Sequence, residues 1–110
     1  MKRKLKPIRP RIGEVWLNPG LENATDLVWL VVNTTPEGHL VLVGAAEEAS
    51  EAEHFILTPG GRNLPVRMKW DLNQNHTVES LNLWHNGCVL GRVQLRWTEE
   101  IWRSMRELSR

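Results

Sequence analysis

Residues 27–43 read Leu27-Val28-Trp29-Leu30-Val31-Val32-Asn33-Thr34-Thr35-Pro36-Glu37-Gly38-His39-Leu40-Val41-Leu42-Val43. The first run, Leu27 to Val32, is apolar at every position and rich in β-branched residues, as a central strand covered on both faces should be. Thr35-Pro36-Glu37-Gly38 supplies the turn, and Leu40 to Val43 returns as a second buried strand, so the stretch predicts a β-hairpin. Outward from it, Glu14 to Leu17 predicts an earlier strand, stopped by Asn18-Pro19-Gly20. His54 to Leu57 predicts a later one, stopped by Pro59-Gly60-Gly61.

The clearest alternation follows. Leu64, Val66, Met68, Trp70 and Leu72 fall on one side of a strand, while Pro65, Arg67, Lys69 and Asp71 fall on the other. Period-two spacing assigns the first set to the core and the second to an open face. Asn73 to Thr77 is polar and predicts a loop. Ser80 to Trp84 predicts a strand, Asn86-Gly87 a turn, and Val89 to Leu95 its partner. Thr98 is the expected N-cap of a final helix, with Glu99 and Glu100 at the positive end of its dipole. Its apolar stripe is Ile101, Trp102, Met105 and Leu108. The expected architecture is a mainly β fold: a small barrel of six or seven strands with a C-terminal amphipathic helix. Residues 1–11 form a basic arm and residues 12–110 a single domain, a size that suits 110 residues.

Charge is segregated along the chain. Residues 1–11 carry six Lys or Arg and no acid, residues 12–53 eight acids and no Lys or Arg, and residues 54–110 eight Lys or Arg against five acids. The net charge of +1 therefore conceals blocks of +6, −8 and +3. The arm, with Pro7 and Pro10 keeping it out of a helix, suits contact with phosphates or with the acidic block of its own chain. No apolar run approaches the ~20 residues of a membrane helix, and no export signal is evident. The single cysteine, Cys88, cannot form an internal disulfide and fits a reducing cytoplasm. Six tryptophans stand beside one phenylalanine and no tyrosine, and their first expected role is packing.

The four histidines show no metal-ligand spacing and there is no paired-cysteine motif, so neither a metal nor another cofactor is expected. Gly60-Gly61 follows a proline and does not open a helix, which argues against a phosphate loop. Metal-free RNA cleavage needs a base for the 2′-hydroxyl, a cation for the developing charge and an acid for the leaving oxygen. Arg67 and His76 are the candidate catalytic residues, and Arg11, Arg62, Lys69 and Arg92 the candidate nucleic-acid contacts. A solvated outer sheet face produces the same alternation.

The order of elements resembles the MazF/PemK-type toxins. Arg11-Ile12-Gly13-Glu14-Val15-Trp16-Leu17 is similar to that family's opening strand, and Val28–Val32 with Leu40–Val43 to its central hairpin. Glu79 to Trp84 stands where the family has an acidic-to-basic strand. Gly91-Arg92-Val93 with Thr98-Glu99-Glu100 resembles its ending. The similarity runs over residues 11–108. It implies an SH3-like barrel in a metal-independent, sequence-specific endoribonuclease, homodimeric and paired with an antitoxin. The family's catalytic arginine has no counterpart, because Asp26-Leu27 stands in its place. Its catalytic Thr or Ser falls at Gly44-Ala45-Ala46. The expected function is RNA binding on a toxin-like fold. The alternatives are a non-enzymatic interaction module that docks through the basic arm and residues 47–53, and a small DNA-binding barrel.

Overall fold

The computed structural model describes residues 10–17, 28–47, 49–60, 63–64, 67–79 and 87–109. Six strands and a helix lie within them: β1 (Glu14–Leu17), β2 (Val28–Thr34), β3 (Leu40–Ala46), β4 (Phe55–Pro59), β5 (Arg67–Val78), β6 (Cys88–Arg92) and α1 (Leu95–Leu108). The strands form one antiparallel sheet in the order β4-β5-β3-β2-β1-β6, curled into a half-barrel. The mainly β architecture with a C-terminal helix is as expected. The strand predicted over Ser80–Trp84, the Asn86 turn position, Arg62 and residues 1–9 of the arm lie outside the described residues.

The β2–β3 hairpin closes as its residues dictate. Gly38 donates its N–H to the Thr35 carbonyl at 2.9 Å and Thr35 donates to His39 at 2.8 Å. Gly38 sits at φ +85°, the left-handed position that ends such a turn and that glycine tolerates at no steric cost. The exposed Glu37 carboxyl is held below its ordinary range by hydrogen bonds from its own backbone N–H and from the Thr35 side chain, with His39 adding to them.

Strand pairing sorts the side chains onto two faces. Val15, Leu30, Val32, Val41, Val43, Met68, Trp70, Leu72 and Val93 meet Ile101 of α1 in the main core. Trp16, Trp29, Val31, Leu40 and Leu42 form a second cluster on the face opposite α1. One row there crosses the whole sheet, Val89-Trp16-Trp29-Gly44-Asp71-Phe55, each residue the register partner of the next.

β5 is longer than expected. Asn73 to Thr77, predicted as a loop, continues the strand to Val78. The polar run hides this because pairing with β3 skips there: Val43 faces Asn75 and Gly44 faces Asp71, so an irregularity absorbs the intervening residues. A bulge of this kind exchanges the faces of the residues that follow. It places His76 opposite Leu42, on the second face.

The helix start also differs. α1 begins at Leu95, its N-cap is Gln94 with no side-chain cap, and its first turn holds no acid. Thr98 lies inside the helix, buried, with its hydroxyl donating to the Leu95 carbonyl at 2.7 Å. The chain can turn this early because β6 ends at Arg92 and Val93 is tied at once to β1, donating its N–H to Gly13 at 2.7 Å. Gly13 in turn donates to Val31 at 2.8 Å. It holds φ +96°, and a Cβ there would stand 2.9 Å from the Val93 carbonyl oxygen, so only glycine fits this three-way junction. The predicted stripe does face the sheet: Ile101 is fully buried, and Trp102 and Met105 pack beside it.

Edge strand β4 is secured from below. Trp70 is fully buried, and its Nε1 donates to the Thr58 hydroxyl at 2.8 Å in a bond that lies entirely inside the protein. Thr58→Val keeps the shape but leaves the indole N–H unpaired. Denaturant unfolding is expected to show a loss of about 1–3 kcal/mol, the usual cost of orphaning a buried donor.

Candidate nucleic-acid interface

The register of β4 on β5 assembles the site. Phe55 faces Asp71, Leu57 faces Lys69 and Pro59 faces Arg67. The odd-numbered residues of β4, and those of β5 as far as Asp71, share the face opposite α1, while Met68, Trp70 and Leu72 take the core. Over residues 67–72 the alternation read from sequence therefore assigns each side correctly, while Pro65 and Val66 lie outside the described residues. Phe55 is 44% exposed and Leu57 38% exposed, two large apolar side chains side by side on an edge strand. Arg67 is exposed beside them. Pro59 at the strand's end suits an edge, where its missing N–H disturbs no ladder.

Lys69 departs from expectation. It lies on the predicted face but is only 8% exposed. Its Nζ donates to the Ser50 carbonyl at 2.7 Å and sits 4.3 Å from the centroid of the Phe55 ring. An ammonium withdrawn from water needs such partners, and the ring face supplies a second one through its quadrupole. Lys69 thus fixes the Phe55 ring and ties the segment before β4 to the sheet.

The remaining candidates are spread out. His76 is half-buried and meets Trp29 edge to face, with ring centroids 5.1 Å apart and planes at 74°. His76 pairs with Leu42 and Lys69 with Ala46, and Arg67 lies two residues beyond Lys69, so Arg67 and His76 stand about six strand steps apart along the sheet, roughly 20 Å at the usual strand rise. One phosphate cannot touch both, so the structure does not bring the two candidate catalytic residues together. Arg11 and Arg92 are near a different edge. The Arg92 guanidinium stands 3.8 Å from the Glu14 carboxylate, and the Arg11 N–H donates to that same carboxylate. Four strand spacings, roughly 19 Å measured along the sheet, separate β6 from β5.

Clefts also lie among the described residues. One of about 330 Å³ lies between the start of β4 and the end of α1, with Glu53, His54, Phe55, Ser104 and Glu107 in its lining. Its carboxylates disfavour phosphate. The other, about 550 Å³, runs between the segment before β1, the end of β2 and the start of α1, over Ile12, Val32, Leu95 and Trp102, with Arg11 and Glu99 also in its lining. Among the described residues no three acidic, histidine or cysteine side chains are grouped to hold a metal. No described helix is long and apolar enough to cross a membrane.

Phe55 is the residue that the sequence reading missed as a site residue, having assigned it only to a strand. The signal was present in the Pro59-Gly60 turn: folding His54–Leu57 back onto residues 67–72 sets Phe55 beside the alternating charges. Compared with models of protein families, with curated proteins and with solved structures, the chain matches none.

Proposed function

We propose that this chain is a MazF/PemK-like protein that binds single-stranded RNA across the face of β4 and β5 opposite α1. The observation that supports the reading is the half-exposed Phe55 ring on an open sheet face, backed by the Lys69 ammonium and followed by exposed Arg67. Proteins that bind unpaired strands combine aromatic platforms for the bases with cations for the backbone, and a base on a ring gains about 1–3 kcal/mol. Cleavage by Arg67 and His76 acting together is not part of the proposal, because of their separation along β5.

The test is a salt titration of binding to a labelled single-stranded oligonucleotide. Wild-type affinity falls as salt rises, and Arg67→Ala lessens the slope by about one released counterion. Arg92→Ala, at the far edge and engaged with Glu14, leaves the slope as it is. A slope that responds to Arg92 and ignores Arg67 moves the interface away from β4–β5.

A second reading, a protein-interaction module, is favoured by the groove over Ile12, Leu95 and Trp102, in which Leu95 is 59% exposed and Ile12 38% exposed. Exposed apolar residues gathered in a groove are a common mark of partner surfaces. An antitoxin-like protein or a second copy in a homodimer would bury them there. Sedimentation of the isolated chain over a dilution series separates the two occupants.

A further inference from the structure

We infer that the Phe55 platform selects guanine, with the Asp71 carboxylate reading the Watson–Crick edge of the base that stacks on the ring. The inference rests on the RNA-binding reading of the same face. Phe55 and Asp71 are direct register partners on adjacent antiparallel strands and point to the same side of the sheet. Directly opposed residues bring their Cβ atoms to about 5 Å, so the carboxylate lies beside the ring. Lys69, one row along, places its ammonium 4.3 Å from the ring centroid.

Asp71 has acceptor capacity to spare. One oxygen, Oδ1, accepts the Asn73 N–H at 3.0 Å. Among the described residues Asp71 is in no ion pair, even though Lys69 is two positions away, because that ammonium is directed to Ser50 and to Phe55. An ionised carboxylate offers about four lone-pair positions on two oxygens and no donor. The half-buried Asp71 keeps most of them available beside an aromatic surface.

The donor pattern of the four bases then decides the ligand. Two carboxylate oxygens side by side need two donors side by side. Guanine presents N1–H and the N2 amine next to each other on its Watson–Crick edge. Adenine and cytosine each set an amine beside a ring-nitrogen acceptor, whose lone pair faces the second oxygen and repels it. Uracil sets one N–H between two carbonyl oxygens. Only guanine satisfies both oxygens, and a good bidentate contact discriminates by roughly 1–3 kcal/mol, which is about 5- to 150-fold. The exposed Arg67 lies four residues from Asp71, roughly 13 Å along β5, and meets the backbone of a neighbouring nucleotide rather than the selected base.

The test uses the full chain and four labelled RNA pentamers, uridines with G, A, C or U at the centre, followed by fluorescence anisotropy. The expected result is about tenfold tighter binding of the G-centred pentamer than of the other three. Asp71→Asn, whose amide replaces one acceptor with a donor, brings that ratio to within twofold, while thermal melting and circular dichroism confirm that it is folded. Phe55-dependent binding that ranks the four pentamers alike overturns the inference and leaves the RNA-binding reading standing. A G preference that persists in Asp71→Asn also overturns it, by assigning the selection to another residue. Failure of all four pentamers to bind removes the inference together with the reading beneath it.

Discussion

Trp70→Ala is expected to lower the free energy of unfolding by about 3–5 kcal/mol, the range for removing a large buried aromatic. Domains of this size have only about 5–15 kcal/mol in total, so the variant loses a large share of its stability. The magnitude follows from position. Trp70 has no exposed surface, packs with Val43, Met68 and Ile101 in the main core, and holds Thr58 of the edge strand through its indole N–H. Alanine leaves a cavity and also orphans the Thr58 hydroxyl. Trp70→Phe separates the two contributions: it keeps most of the volume, and on that background Thr58→Val should cost much less than it does alone. Urea unfolding of the four proteins in this cycle reads the coupling directly. A loss below 1 kcal/mol in Trp70→Ala would show that β4 is held elsewhere.

Phe55→Ala should have the opposite profile. The ring is 44% exposed and outside both core clusters, so the expected stability change is under about 1 kcal/mol. Affinity for single-stranded RNA should fall by roughly tenfold, from the about 1–3 kcal/mol that a stacked base contributes. Part of the loss is indirect. Without the ring, the Lys69 ammonium loses one of its partners, though the Ser50 carbonyl remains 2.7 Å away. Phe55→Trp enlarges the platform and should bind at least as well as wild type, which a purely structural role for Phe55 does not predict. Anisotropy titrations at one salt concentration, with unfolding curves for each variant, measure both quantities.

Much of this architecture is legible in the chain. Residues 27–43 specify a hairpin because an apolar run on each side of Thr-Pro-Glu-Gly has few other ways to bury itself. The alternation from Met68 to Leu72 orients β5 correctly, since a period of two admits only one choice of core face. Three features escaped for identifiable reasons. The polar residues after Leu72 belong to the strand because a register shift absorbs the mismatch, and a bulge has no compositional mark. Thr98 has the residue type of an N-cap but serves as a small buried position inside the helix. Lys69 has the charge of a phosphate contact, yet segments that are not its neighbours in sequence, Ser50 and Phe55, close over it.

The candidate site shows the same division. Arg67 is exposed on the face its spacing implies. That His76 and Arg67 are separated depends on the pairing of β5 with β3, which no local pattern contains. Three of the six tryptophans conform to the packing expectation: Trp16, Trp29 and Trp70 are fully buried. Among the described residues, the aromatic offered to solvent on the sheet is instead the chain's only phenylalanine.

Whether RNA lies on the β4–β5 face is read out by amide NMR of the ¹⁵N-labelled chain titrated with a short uridine-rich oligonucleotide. Binding there concentrates the shifts at Phe55, Leu57, Arg67, Lys69 and Asp71, saturating together. Shifts gathered instead around Arg11, Glu14 and Arg92, or no shifts at millimolar RNA, would contradict it.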